Sequence, residues 1–422
     1  MNRSPSERLV DSATGGAAVD RGSTALDLVP ARAKEAFAIL LVTHFAVDCF
    51  SSTLPTIQPI LVDRHGLSLA QAGMLGACWL LASAVLQLPF GLLSDRIRSR
   101  HFTTLSPLVA AVCLGTVSLA PTLVGVACLL VAGGVGVSAF HPHSTSRAGH
   151  IGGERRGLAT AVFITAGTAG LGVGPLYLAS AIERFGFERL WVSALPVVAL
   201  TPLLLWRMPP DRVSEQAGTR AVDWPLLRSR WRPLLMHYAL VVLRSIAQVG
   251  MAQYLSLYMV QVRGADFRSA SVALAVYFLS TSSGAFLGGA AADRIGGRRV
   301  IITSCAVSGP LMAAFLATDG WMSVAVLFIA GTCLLAPIPV NVVMAGELVP
   351  SQAGTAAALM MGFGWGLAGI AFVPLAGVLA DWIGLAPVLW AFTLLPAAGL
   401  PIAFALPRSR SAKSALRKDR GR

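Results

Sequence analysis

Within the apolar stretch "AILLVTHFAVDCF", His44 and Asp48 stand four residues apart. On a helix that spacing puts both side chains on one face. An ionised carboxylate is costly in apolar surroundings, and a cation beside it offsets that cost. A carboxyl held between those two effects can load and release a proton. His44 is the neighbour whose own charge changes near neutrality. The plainer reading is that the two side chains bond each other and only strengthen packing.

Two further stretches carry chemistry. In "LVVLRSIAQVG", Arg244 stands amid apolar residues with Gln248 one turn on. A charge at the centre of a membrane helix costs about 2.5–3.5 kcal/mol on insertion scales, which makes Arg244 a functional candidate. It can pair with Asp48 or bind an anionic substrate, with Gln248 hydrogen-bonding the same substrate. In "FHPHSTSR", His141, Pro142, His143 and Arg147 end a long apolar run. Pro142 removes a backbone donor and frees carbonyls of the preceding turn. His141 and His143 are two apart, so on an intact helix they face different ways, which argues against a two-histidine metal clamp. With Arg147 they are expected to form a polar, partly cationic cavity wall. No metal site is expected.

These residues need elements long enough to hold them in lipid. The chain has 422 residues, 55% hydrophobic and only 13% charged, against about 25% charged in soluble domains. Apolar runs at about 35–60, 69–93, 102–120, 123–147, 157–182, 188–207, 231–261, 269–292, 299–317, 321–346, 354–380 and 385–406 are each long enough to cross roughly 30 Å of hydrocarbon as a helix. Helices satisfy their backbone internally, as a lipid setting demands. The reading is an all-α integral membrane protein with twelve spans. Residues 1–33 read as a disordered tail and 408–422 as a basic one. No cleavable signal peptide is visible, so the first span is expected to direct insertion.

The net charge of +13 is a topology signal, and no nucleic-acid partner is expected. Twelve spans put both termini on one side. Arg64, Arg184, Arg189, Arg263 and Arg268 stand on the other side and Arg244 within a span; the rest of the 33 Lys and Arg share the side of the termini. That bias predicts cytoplasmic termini. Cys49, Cys78, Cys113, Cys128, Cys305 and Cys333 all lie in apolar spans and read as small packing residues.

An internal repeat divides the chain. "GLLSDRIRSR" begins at Gly91 and "GAAADRIGGR" at Gly289, so that Gly91, Asp95, Arg96 and Arg100 match Gly289, Asp293, Arg294 and Arg298 at an offset of 198 residues. Two six-helix halves follow, 34–207 and 231–407, joined by the polar stretch 208–230. Two such halves with a site between them near midmembrane form a transporter architecture. The glycines are expected to admit a neighbouring helix, and the charges to bond across the membrane edge.

The paired Gly-x-x-x-Asp-Arg turns resemble the signature loops of the major facilitator superfamily, whose first copy helps latch one conformation on the cytoplasmic side. Three segments in chain order resemble the superfamily's fosmidomycin resistance branch: "HFAVD", "VSAFHPHSTSRAGHIGGERRGLATAVFITAGTAGLGVGPL" and "GELVPSQAGTAAALMMGFGWGLAGIAFVPLAGVLADWIG". His143 stands where that branch usually has Glu. The resemblance implies proton-driven drug efflux. "GLGVGPL", with Gly170, Gly174 and Pro175, is similar to the antiporter motif of the superfamily's exporters, and close packing alone explains it almost as well.

The function read from these features is proton-coupled export of a small organic compound by alternating access. Asp48 and His44 would carry the proton; Arg244, Gln248, His141, His143 and Arg147 would line the path; the two loops would latch the gate. No cofactor is expected beyond the proton gradient, and no Gly-x-x-x-x-Gly-Lys-Ser/Thr loop for ATP is present. The expected partners are a small-molecule substrate and the bilayer, the expected state a monomer, and the expected place a bacterial inner membrane. An importer or exchanger of a small organic anion is the second reading. A membrane enzyme or non-transporting sensor is the third, and no nucleophile-plus-base constellation speaks for it.

Overall fold

The computed structural model describes residues 31–97, 99–209, 223–352 and 364–407, with Ala356 and Met360 between the last two runs. Among them every regular element is helical. Twelve helices of the described residues are long and apolar enough to cross a membrane: α1 Ala33–His65, α2 Leu69–Ser94, α3 His101–Leu119, α4 Leu123–Ile151, α5 Gly153–Phe185, α6 Phe187–Arg207, α7 Trp231–Val262, α8 Phe267–Ile295, α9 Gly297–Ala317, α10 Gly320–Leu348, α11 Gly364–Ile383 and α12 Leu385–Ala405. The chain is a multi-pass membrane protein. Residues 31–33 of the expected N-terminal tail are helical; the rest of that tail, and 408–422, lie outside the described residues. Of the connecting stretch, Trp224–Ser229 forms a short helix, and 210–222 lie outside the description.

The halves repeat at their helix starts. Ser68 caps α2, its hydroxyl accepting from the Gln71 N–H at 3.2 Å while the Gln71 side chain accepts from the Ser68 N–H. At the same offset of 198 residues, Asp266 caps α8 by accepting from the Ser269 N–H at 3.0 Å. Such caps satisfy amides that a helix leaves orphaned.

Lipid tails provide no hydrophobic drive between helices, so close packing must hold the spans together. Among the tightest approaches is α1 against α5. A side chain on Gly170 would strike the Phe45 carbonyl, and one on Gly174 the Cys49 carbonyl and Ser52 hydroxyl. Pro175 is buried within the unbroken helix of α5. The Gly-Pro motif is thus the packing face for α1.

The loop glycines depart from expectation. A Cβ at Gly91 would meet Pro142 at an ordinary 3.5 Å, and at Gly289 nothing nearer than Pro339 at 4.0 Å. The close approach is made by Gly288, whose Cβ would run into the Ala336 carbonyl of α10. Gly91→Ala and Gly289→Ala should therefore leave thermal stability unchanged. Gly288→Ala should lower the melting temperature, because a backbone group must yield, at about 1–3 kcal/mol for overpacking. Melting of the purified single variants compares them.

The halves meet on the side away from the termini. Gln58 and Gln253 both donate to the Ala72 carbonyl of α2, at 3.2 and 3.3 Å. The Tyr254 hydroxyl of α7 donates to the Val373 carbonyl of α11 at 2.8 Å. Gly73 and Gly377 give α2 and α11 room to touch around that hydroxyl. On the side of the termini the loop arginines bind within their own halves: Arg100 donates to the Met208 carbonyl at 3.4 Å, and Arg298 to the Phe404 carbonyl. Arg96, Asp293 and Arg294 are exposed, and the Asp95 side chain lies outside the description.

Candidate functional site

The stripe Gly167, Gly170, Gly174 on α5 brings α1 close enough for His44 to lie flat on Phe163, ring centroids 3.9 Å apart. His44 Nδ1 stands 2.7 Å from the Phe163 carbonyl oxygen. A carbonyl only accepts, so this nitrogen carries hydrogen. His141 reaches in from α4 and is held the same way, its Nδ1 2.8 Å from the Val137 carbonyl. Both rings thereby turn Nε2 toward Asp48: His141 Nε2 lies 3.1 Å from Oδ1 and His44 Nε2 3.4 Å from Oδ2.

That geometry suits a proton held between ring and carboxylate. With Nδ1 already protonated, the Nε2 of a neutral ring is a bare lone pair. A lone pair 3.1 Å from a carboxylate oxygen is repelled, so the contact is favourable with a proton between His141 and Asp48. The 3.4 Å contact to His44 is ion-pair distance, and a second proton there would turn attraction on at both oxygens. Exposure differs across the group: the side chains of Asp48 and His141 are 15% and 21% exposed, that of His44 only 5%. His44 is walled in by Phe140 and Phe163.

Gly167 completes the site, and spacing alone did not single it out. Any Cβ there would overlap His44 Nε2 and Asp48 Oδ2. Among the described residues, His44, Asp48 and His141 are also the one group of His, Cys, Asp and Glu close enough to hold a metal ion. The contacts of 3.1 and 3.4 Å are also short enough for a proton to pass directly between ring and carboxylate.

The other candidates part company. His143 turns from the cavity to α3, where its Nδ1 stands 2.7 Å from the Thr103 hydroxyl, and Arg147 donates to the Pro209 carbonyl. Both are buried, so they tie α4 to its neighbours, and the expected cationic wall reduces to His141. The expected ion pair between Arg244 and Asp48 is not formed. Arg244 donates to the Gln248 side-chain oxygen and, at 3.1 Å, to the Ser245 hydroxyl, while its Nε has no partner. Tyr277 of α8 steadies the arrangement by donating to the Gln248 carbonyl at 3.0 Å. Arg244 lines a small cavity inside the second half with Leu240, Ser304, Asn341 and Leu395. Sequence spacing also missed His237, two turns before Arg244, fully buried with its Nδ1 3.0 Å from the Asn341 side-chain oxygen.

Comparison with known proteins places this geometry. The family model of the Major Facilitator Superfamily matches residues 39–272 and 254–421. An MFS-type transporter, YfnC of Bacillus subtilis (strain 168), is 29% identical over 379 residues, covering 87% of this chain and 92% of that protein. The fosmidomycin resistance protein of Escherichia coli (strain K12) is 28% identical over 398 residues, covering 90% and 95%. Among solved structures, a bacterial homolog to the human lysosomal transporter Spinster, inward-facing and occupied, superposes with TM-score 0.72 at 15% identity, over 88% of this chain and 96% of that one. A point mutant of the nucleoside transporter NupG gives 0.75 at 14%, over 88% and 99%. These two share the fold. With twelve spans in two repeated halves, and a family model covering nearly all of them, the chain is a transporter rather than an enzyme and belongs to the major facilitator superfamily.

Proposed function

We propose that the protein exports a small organic compound in exchange for protons, as a monomer in a bacterial inner membrane with both termini in the cytoplasm. The observation that carries the reading is the His44–Asp48–His141 triad, a partly exposed carboxyl within a membrane span whose two oxygens stand 3.1 and 3.4 Å from imidazole nitrogens. The resistance function in the name of the Escherichia coli relative supports export. Alternating access then needs the triad to hold its proton in one facing state and yield it in the other. The proton gradient is the energy source and no cofactor is required. The test is reconstitution in proteoliposomes with an imposed pH difference, screening compounds by counterflow. Uptake that ignores the pH difference for every compound showing counterflow would end the proton-coupled reading.

A second reading is favoured by Arg244. Its guanidinium has only neutral partners among the described residues, and an uncompensated charge at that depth is costly. An anionic substrate, carboxylate or phosphonate, would supply the missing charge, in export or in import. Arg244→Gln should then raise KM for an anionic substrate by about tenfold or more, as loss of a charge-assisted bond does. KM for neutral compounds should stay put. Equal KM changes for both would make Arg244 a packing residue.

A further inference from the structure

The ends of α5 and α11 carry a second repeat that the loop motif does not include. α5 closes with "IERFG" and α11 with "ADWIG", so that Glu183 and Gly186 match Asp381 and Gly384 at the same offset of 198 residues. Both glycines are in the left-handed half of backbone space, with φ of 82° and 88°. Each carboxylate crosses to the other half of the molecule. Asp381 accepts from the Leu69 and Ala70 backbone amides at 2.7 and 3.0 Å, the first turn of α2. Glu183 accepts from Arg268 at 2.6 Å, in the first turn of α8. Arg268 is itself the counterpart of Ala70 at that offset. The two contacts are therefore one device present twice, related by the molecule's own pseudo-symmetry.

We infer that Glu183 and Asp381 are paired latches that hold the halves together on the side away from the termini. The physical basis is that a carboxylate at a helix N-terminus binds amides no other group of the helix can satisfy, and is favoured by the helix dipole. Both contacts span the halves, so neither survives when that side opens, and each biases the protein toward the closed arrangement seen here. Their strengths differ. Asp381 makes two charge-assisted bonds to rigid backbone, whereas Glu183 and Arg268 are an exposed pair of flexible side chains. Asp381 is the main latch and Glu183 the lesser. The inference needs only two facing states, so it stands or falls apart from the proton-coupling proposal.

The experiment measures opening directly. Spin labels at Asp63→Cys in the first half and Trp382→Cys in the second, both exposed sites, report the separation of the halves by pulsed dipolar spectroscopy once the six native cysteines are replaced. Asp381→Asn should raise the longer-distance population by about threefold or more, Glu183→Gln by about twofold or less, and the double variant most, on the scale of dipole and exposed ion-pair effects. The charge swap Glu183→Arg with Arg268→Glu should return the distribution to that of the parent. Hydrogen exchange in the protein with native cysteines is the second measurement. In Glu183→Gln, exchange should quicken at Leu69 and Ala70, whose amides Asp381 still holds across the halves, since opening breaks both contacts together. Unchanged exchange at Leu69 and Ala70 in Glu183→Gln, or a double variant whose distances superimpose on the parent's, would overturn the inference.

Discussion

Replacing Asp48 with Asn is expected to abolish movement of substrate against its gradient under an imposed pH difference, and to spare exchange of substrate for substrate. Asn keeps the size of Asp and can serve both histidines without any labile proton. Its oxygen accepts from a protonated ring and its NH2 group donates to a neutral one. The contacts at 3.1 and 3.4 Å therefore survive while titration is lost, which separates coupling from folding. Counterflow needs no net proton transfer and reads the substrate path alone. If Asp48→Asn still concentrates substrate at the wild-type rate, Asp48 is a packing residue, and coupling belongs to His44 or His141. If both assays fail in folded protein, Asp48 binds substrate or holds the first half together, and the proton proposal is lost.

Two glycines one turn apart should give opposite kinds of damage. Gly170→Ala places a methyl group against the Phe45 backbone carbonyl, and backbone cannot step aside. Helices α1 and α5 must separate, at about 1–3 kcal/mol by the usual cost of overpacking, and the melting temperature should fall. At Gly167 the atoms in the way are the ends of the His44 and Asp48 side chains rather than backbone, so the triad gives way before the helices do. Gly167→Ala should therefore melt near the parent while driven transport drops about tenfold or more, because displacement of reacting groups by about 1 Å is costly to chemistry. Initial rates at matched membrane abundance, beside melting curves of both variants, decide the matter. A Gly167→Ala protein that transports normally under a pH difference would mean that the triad tolerates being pried open and is not the coupling site.

Whether a segment crosses lipid depends on its own length and polarity. All twelve spans were therefore legible in the chain, as was the division into halves from the loops at Gly91 and Gly289. The pairing of His44 with Asp48 was equally local, since four residues on a helix is one face. The Gly170-Gly174-Pro175 motif announced close packing, and the structure supplies the partner, α1.

What lay beyond the sequence is which neighbour each face meets. Spacing fixes the angle of a side chain about its own helix and says nothing of how that helix is rotated against the next. His141 and His143 illustrate this: both were candidates for one cavity wall, yet the rotation of α4 gives the first to Asp48, 93 residues away, and the second to Thr103 of α3. Arg244 lies at the depth of Asp48 in the repeat, yet α7 turns it into its own half toward Gln248 and Ser245. The sequence by itself determined how many helices cross and at what depth each charged residue lies, because hydrophobic length and helical rise are properties of the segment alone. The tertiary structure decided which charges meet, because helix rotation is set by glycine-to-backbone contacts such as Gly170 on Phe45, between residues far apart in the chain.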